Sequence, residues 1–207
     1  MPDLDAIRST YERWLSEHGA ESALAAGWSD PAWQELRFAV LAQVMEGEAP
    51  VTVADFGCAS GALFDHLAAR REPPPLGAYV GYDIVPAFVE AARAAHRDPR
   101  ARFEVASEVG EDADYVFASG ALTVRPGVGD EAWEEHIRAV LARLWSRSRR
   151  GLAFNLLIRT DGPREKGFYA GEPEAWARWC SRELPGALVA LRMGPPLLDF
   201  SVLVRRQ

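Results

Sequence analysis

The chain has 207 residues, 48% hydrophobic and 26% charged, enough for one well-buried domain and short for two. A formal net charge of −7 opposes a phosphate backbone, so nucleic acid is not an expected partner; the one dense basic cluster, Arg143 to Arg150, reads as a helix C-terminus favoured by its exposed carbonyls. Cys58 and Cys180 are too few for a disulfide framework or a zinc site, Met1 to Ala20 lacks the apolar core of a signal peptide, and no apolar run is long enough for a bilayer, so a cytoplasmic protein without membrane or metal partners is expected.

Leu4, Ile7, Tyr11, Trp14 and Leu15 recur at spacings of three and four and predict an amphipathic helix that ends before Gly19. Ser29-Asp30-Pro31 supplies a second helix start, and Trp33, Leu36, Phe38, Val40, Leu41 and Val44 carry an apolar face to Gly47. Residues 1–48 therefore read as a helical cap on the same domain as residues 49–207. Tyr11, Trp14, His18, Trp28 and Trp33 supply this cap with an aromatic lid or with core, the commoner fate of such residues.

From Val51 short β-rich runs alternate with helical segments: 51–56, 78–84, 101–106, 113–119, 151–158, 187–193 and 199–206. Seven strands in βαβ units predict a mostly parallel sheet with helices on both faces. The last two runs are too close for a crossover and should form an antiparallel hairpin. The polar connection from Arg159 to Gly171 has three glycines and reads as a mobile substrate loop in which Arg159 or Tyr169 contacts an acceptor.

The first strand runs into DFGCASG, then a helix. Such a turn lets a ligand approach the backbone and offers it unpaired N–H groups. The dinucleotide spacing G-x-G-x-x-G fails here, since Ala59 and Ala62 stand where glycines are wanted. Asp55 would repel a pyrophosphate and orient a cation. The loop suits a nucleoside without phosphates. Asp83 ends the second strand 22 positions after Gly61, where a carboxylate can accept from both ribose hydroxyls or cap the helix at Pro86. Ser107 and Glu108, after the third strand, can meet a base amino group.

On these residues the chain resembles the class I S-adenosylmethionine-dependent methyltransferases, from about Val51 to the C-terminus. VADFGCASG is similar to the family's first motif at Asp55, Gly57 and Gly61, YVGYDI to its second at Asp83, ADYVFASG to its fourth-strand motif and DFSVLVRR to its last, reversed strand. The resemblance implies a Rossmann-like sheet of order 3-2-1-4-5-7-6 and S-adenosylmethionine as cofactor, bound by Asp55, Gly57, Cys58, Ala59, Gly61, Asp83, Ile84, Ser107 and Ser119, with Arg37 on the cofactor carboxylate. The departure is Ala59, where the middle glycine usually stands; a positive φ there costs alanine roughly 1 kcal/mol or more.

Ser119-Gly120-Ala121 lacks the Asn-Pro-Pro-aromatic arrangement of methyltransferases acting on base or glutamine amines. A small-molecule oxygen or carboxylate acceptor is expected, on a monomer or homodimer. His18, His136 and Tyr169 are the general-base candidates, whereas His66 and His96 fall on flanking helices and should be solvated. Asn155, a polar residue inside the fifth strand, should bond toward the site or satisfy a neighbouring strand end. Cys58, beside a helix N-terminus, would have a lowered thiol pKa if exposed. A non-catalytic nucleoside-binding module and a nicotinamide oxidoreductase are the competing readings.

Overall fold

The computed structural model describes residues 4–19, 24, 30–125, 127–160 and 167–207. Trp28, Ser29 and residues 161–166 of the polar connection lie outside the described residues. Two cap helices come first, α1 (Leu4–His18) and α2 (Pro31–Leu41), the latter continued by a 3₁₀ turn at Ala42–Val44. The Asp30 carboxylate accepts from Ala32 N at 2.8 Å, with Pro31 in the first turn, so α2 starts where the sequence places a cap.

The α/β body follows: β1 (Val51–Phe56), α3 (Ala62–Ala69), β2 (Leu76–Asp83), α4 (Pro86–Ala95), β3 (Ala101–Val105), β4 (Ala113–Ala118), α5 (Asp130–Arg147), β5 (Ser148–Ile158), β6 (Ala170–Gly171), α6 (Pro173–Glu183), β7 (Ala187–Met193) and β8 (Asp199–Arg206). The sheet order is β3-β2-β1-β4-β5-β8-β7, which is the expected order once the extra strand is counted. That addition is β6, two residues paired parallel with Leu157 and Ile158 and too short to leave a periodic signal. Pairing is parallel except for β8, which is antiparallel to both β5 and β7.

Alternation along each strand divides the core. In β4, Tyr115 and Phe117 face the cluster of Phe38, Phe64 and Phe103, while Val116 and Ala118 face that of Trp133, Leu141 and Trp176. Each layer of helices thus covers one face of the sheet. The basic cluster spans a boundary: α5 ends at Arg147 and β5 begins at Ser148, so Arg149 and Arg150 belong to a strand. No helix among the described residues is long and apolar enough to cross a membrane. β1 and β4 are neighbours at the point where strand order reverses, and this opens a crevice beyond their carboxyl ends.

Candidate active site

A cavity of about 360 Å³ occupies that crevice. Its floor is the loop from Asp55 to Ser60; Tyr82, Asp83 and Ile84 form one wall, Ala106 to Glu108 a second, and Ser119 to Leu122 with α5 a third. Leu4, Ile7 and Tyr11 of α1, with Gln34 and Phe38 of α2, roof it. Of the expected cofactor residues, all but Arg37 line this cavity or, for Gly61, hold its loop.

The loop is fixed by the strand beside it. Gly57 N and Cys58 N donate to Tyr82 O at 2.8 and 3.1 Å, and Gly61 N donates to Cys58 O at 2.9 Å. Gly57 has φ +76°, and a Cβ there would stand 2.5 Å from the Ala121 Cβ. Ala59 has φ +45°, so the middle position does demand the left-handed region that alanine occupies at a cost of roughly 1–2 kcal/mol. Asp83 offsets that cost: its Oδ2 accepts from Ala59 N at 2.9 Å while Oδ1 accepts from Val85 N at 2.9 Å. A charged hydrogen bond contributes about 1.5–3 kcal/mol, enough to hold the strained residue. The Asp83 side chain thus braces the loop, and each oxygen keeps lone-pair capacity for a ligand hydroxyl.

Asp55 lies beneath. Its Oδ2 accepts from the Tyr79 hydroxyl at 2.5 Å, and its Oδ1 is buried without a partner among the described residues. Burial pushes its carboxyl up to about 7, with the Tyr79 hydrogen bond opposing and the Asp83 charge adding to the rise. Burial also raises Asp83, opposed by the backbone N–H groups of Val85, Ala59 and Ile84. Two neighbouring buried acids, one with a spare oxygen, make an environment that a ligand cation relieves. The buried Ser119 Oγ, which also lacks a partner among the described residues, faces the same space. These groups fit the nucleoside and ammonium portions of S-adenosylmethionine.

Cys58 is buried, and burial followed by the charges of Asp55 and Asp83 pushes its thiol up, opposite to an activated cysteine. Its sulfur fills the space left by Gly81, where a Cβ would come within 2.7 Å. His96 is not solvated: its ring packs on Phe64 and Phe103, and its Cε1 lies where a Gly61 Cβ would come within 2.8 Å of it. His66 bonds Glu35 at 2.7 Å.

Of the three base candidates only His136 lines the cavity. Half-buried, it packs on Trp133 at 5.0 Å between ring centroids, and Trp133 Nε1 is held by Leu122 O at 3.0 Å. Burial and then the Arg143 charge lower its pKa, leaving a neutral imidazole at neutral pH. His18 sits at the exposed end of α1, outside the cavity wall. Tyr169 is buried elsewhere, accepting from Trp176 Nε1 and donating to Glu134 Oε1, both at 3.0 Å, and burial raises its pKa.

Arg37 is also placed differently. It is buried away from the cavity wall, with Nε 2.7 Å from Asp199 Oδ2, because the α2 face that carries it turns toward β8 rather than toward the crevice. Arg159 pairs with Glu134, Asp130 and Glu172. The described end of its connection is anchored: Tyr169 N donates to Thr123 O at 2.7 Å, and Trp14 stacks on Phe168 at 6.0 Å. Sequence reasoning missed Phe56, Val140 and Arg143 as lining residues. His136 and Arg143, seven apart among Trp133, Val140 and Leu144, were the available signal: two polar side chains on an apolar helix stripe.

No family model matches the chain. It is 35% identical over 168 residues, 79% of its length and 98% of the other's, to "Putative methyltransferase Rv1506c" of Mycobacterium tuberculosis. Among solved structures it is similar to magnesium protoporphyrin IX methyltransferase of Synechocystis with bound S-adenosylhomocysteine (TM-score 0.69, 14% identity, 99% and 100% of the two chains). It is also similar to an amino pentose methyltransferase of Micromonospora echinaspora with bound S-adenosylmethionine (TM-score 0.60, 16% identity, 90% and 96%).

Proposed function

The chain belongs to the class I S-adenosylmethionine-dependent methyltransferases, and from that premise we propose that its cavity holds this cofactor and methylates a small-molecule oxygen or carboxylate acceptor. The observation that carries the reading is the acidic floor, where Asp83 braces the loop through Ala59 and Asp55 keeps one buried oxygen unpaired. In this reading Asp83 accepts from the ribose hydroxyls, Ile84 and Ser107 flank the base, and Asp55 and Ser119 face the ammonium end. Glycine-loop curvature brings the ligand against Gly57 without a phosphate to satisfy.

The bound cofactor supplies an electrophilic methyl group on a sulfonium. Transfer is an in-line displacement, so the chain mainly positions the acceptor and excludes water. The roof residues Ile7, Tyr11 and Phe38 do the second, with Trp133 beside them. We assign His136 the removal of the proton from a hydroxyl acceptor; a carboxylate acceptor needs only positioning. The structural neighbours act on a porphyrin and an amino pentose, so fold alone does not choose the acceptor. The negative surface and a crevice of this size support a small molecule over nucleic acid, and the composition supports a cytoplasmic enzyme.

Thermal unfolding with S-adenosylmethionine, S-adenosylhomocysteine, NAD and NADP tests the assignment. At a ligand concentration 100 times the dissociation constant, binding adds about 2.7 kcal/mol. A rise in midpoint with both S-adenosyl compounds and neither nicotinamide is expected; a nicotinamide-only shift would overturn it. Product formation with a panel of alcohols, phenols and carboxylic acids then separates an enzyme from a binding module.

A further inference from the structure

One buried polar chain lies outside the cavity yet reaches its wall. Arg37 of α2 donates through Nε to Asp199 Oδ2 at 2.7 Å, and Asn155 Nδ2 donates to the same oxygen at 2.5 Å. On its other side Asn155 Oδ1 accepts from Gly120 N at 2.9 Å. The three residues are 6%, 2% and 2% exposed. Burying an ion pair seldom stabilises a fold more than apolar packing would, so its presence in the sheet invites a positional explanation.

The chemistry gives the chain a direction. An amide presents a donor and an acceptor, and only one orientation of Asn155 suits both neighbours: reversal would set its carbonyl against the Asp199 carboxylate and its NH₂ against the Gly120 N–H. Asp199 therefore dictates which end of Asn155 faces Gly120, and the Arg37 guanidinium holds the same carboxylate oxygen from the side of the cap. Gly120 has φ +73° and its successor Ala121 is pressed on Gly57, whose absent Cβ would lie 2.5 Å from the Ala121 Cβ. The turn carrying Ser119 is thus held between the glycine loop and Asn155.

We propose that Asn155, oriented by Asp199 and Arg37, is a positioning residue that sets the Ser119–Ala121 turn against the glycine loop and links the cap helix α2 to the cofactor cavity. This rests on the methyltransferase reading only through the choice of probe. The buried contacts tie a residue on α2 to a backbone amide in the cavity wall, and no residue of the chain need touch the ligand.

The test combines S-adenosylhomocysteine calorimetry with amide hydrogen exchange on the full chain. Asn155→Ala should weaken binding about tenfold, the scale of one lost hydrogen bond, and speed exchange at Gly120. Ser201→Ala, a change at the register partner of Asn155, should lower the unfolding midpoint without moving either readout. Arg37→Lys, which keeps the cation, should bind more tightly than Arg37→Ala, and this pair decides the matter if Asn155→Ala does not fold. Affinity within twofold of wild type together with unchanged Gly120 exchange would overturn the proposal. If the wild type itself binds no S-adenosylhomocysteine, the methyltransferase reading fails, while the exchange measurement still decides the role of Asn155.

Discussion

The two sides of the cavity are built on different principles. The floor and the β2 wall are backbone held by backbone and by one carboxylate: Gly57, Cys58, Ala59 and Gly61 each have a named partner within 3.1 Å. The roof and the α5 wall consist of side chains from α1, α2 and α5, mostly apolar, with Gln34, His136 and Arg143 the more polar members. The first kind of surface suits one invariable ligand, because moving any atom of it strains a loop. The second changes with single substitutions and leaves the fold alone, which is how an acceptor pocket diverges on a shared frame.

The sharpest way to test the contrast is to damage each side separately. His136→Ala should lower kcat about a hundredfold or more with a hydroxyl acceptor while leaving S-adenosylhomocysteine affinity unchanged, with the rising limb of the wild-type kcat profile lying below about pH 6.5. An unchanged kcat would remove His136 from the chemistry. Asp83→Ala should do the reverse, weakening cofactor affinity by about 1.5–3 kcal/mol and releasing the Ala59 loop. Unaltered affinity in a folded variant would show that Asp83 only braces the loop.

A smaller effect concerns Asp55. Its folded pKa of about 7 lies above the ordinary 3.8, so the native state holds the proton more tightly than the unfolded chain does. The associated stability is present in full below about pH 4 and lost as pH rises through about 7. Asp55→Asn should therefore gain stability relative to wild type between pH 5 and pH 8 in urea unfolding; parallel curves would contradict the burial account. Smallest is Ala59→Gly, which relieves the positive φ but gives the unfolded chain more freedom. A midpoint change within about 1 kcal/mol and equal or better cofactor binding are expected; a tenfold loss of affinity would mean that the Ala59 methyl itself contacts the ligand.

The same division governs what could be read from sequence. The floor was legible because each of its elements sits within a few residues of a strand end, where glycine spacing and a terminal acid carry the message. The strand order beyond the terminal hairpin came from family resemblance. The roof was legible in part, as two cap helices with Tyr11 offered as a lid residue, and Tyr11 does line the cavity; the Arg37–Asp199–Asn155 contacts were not, since they depend on pairs far apart in the chain. Arg37 was expected on a ligand and instead meets Asp199, 162 positions away, and Tyr169 was drawn into a bond with Glu134, 35 positions away. Asn155 did stand out, because a buried polar residue inside a strand must be paired, although its partners could not be named. Helix α5 was expected to end near the arginine cluster, and the one local sign that Arg143 reaches the cavity is its place with His136 on an apolar helix stripe.

The strand β8 has a consequence for the making of the molecule. It follows β7 in the chain but lies between β5 and β7, so during synthesis the nascent sheet stays split in two, with an open edge on β5, until residue 206 has emerged. Asp199 arrives with that strand, and with it the anion that Arg37 and Asn155 require. Growing chains stalled short of position 199 should therefore expose a sticky edge to chaperones, and the ligand cavity should acquire its fixed wall only once β8 has emerged and docked.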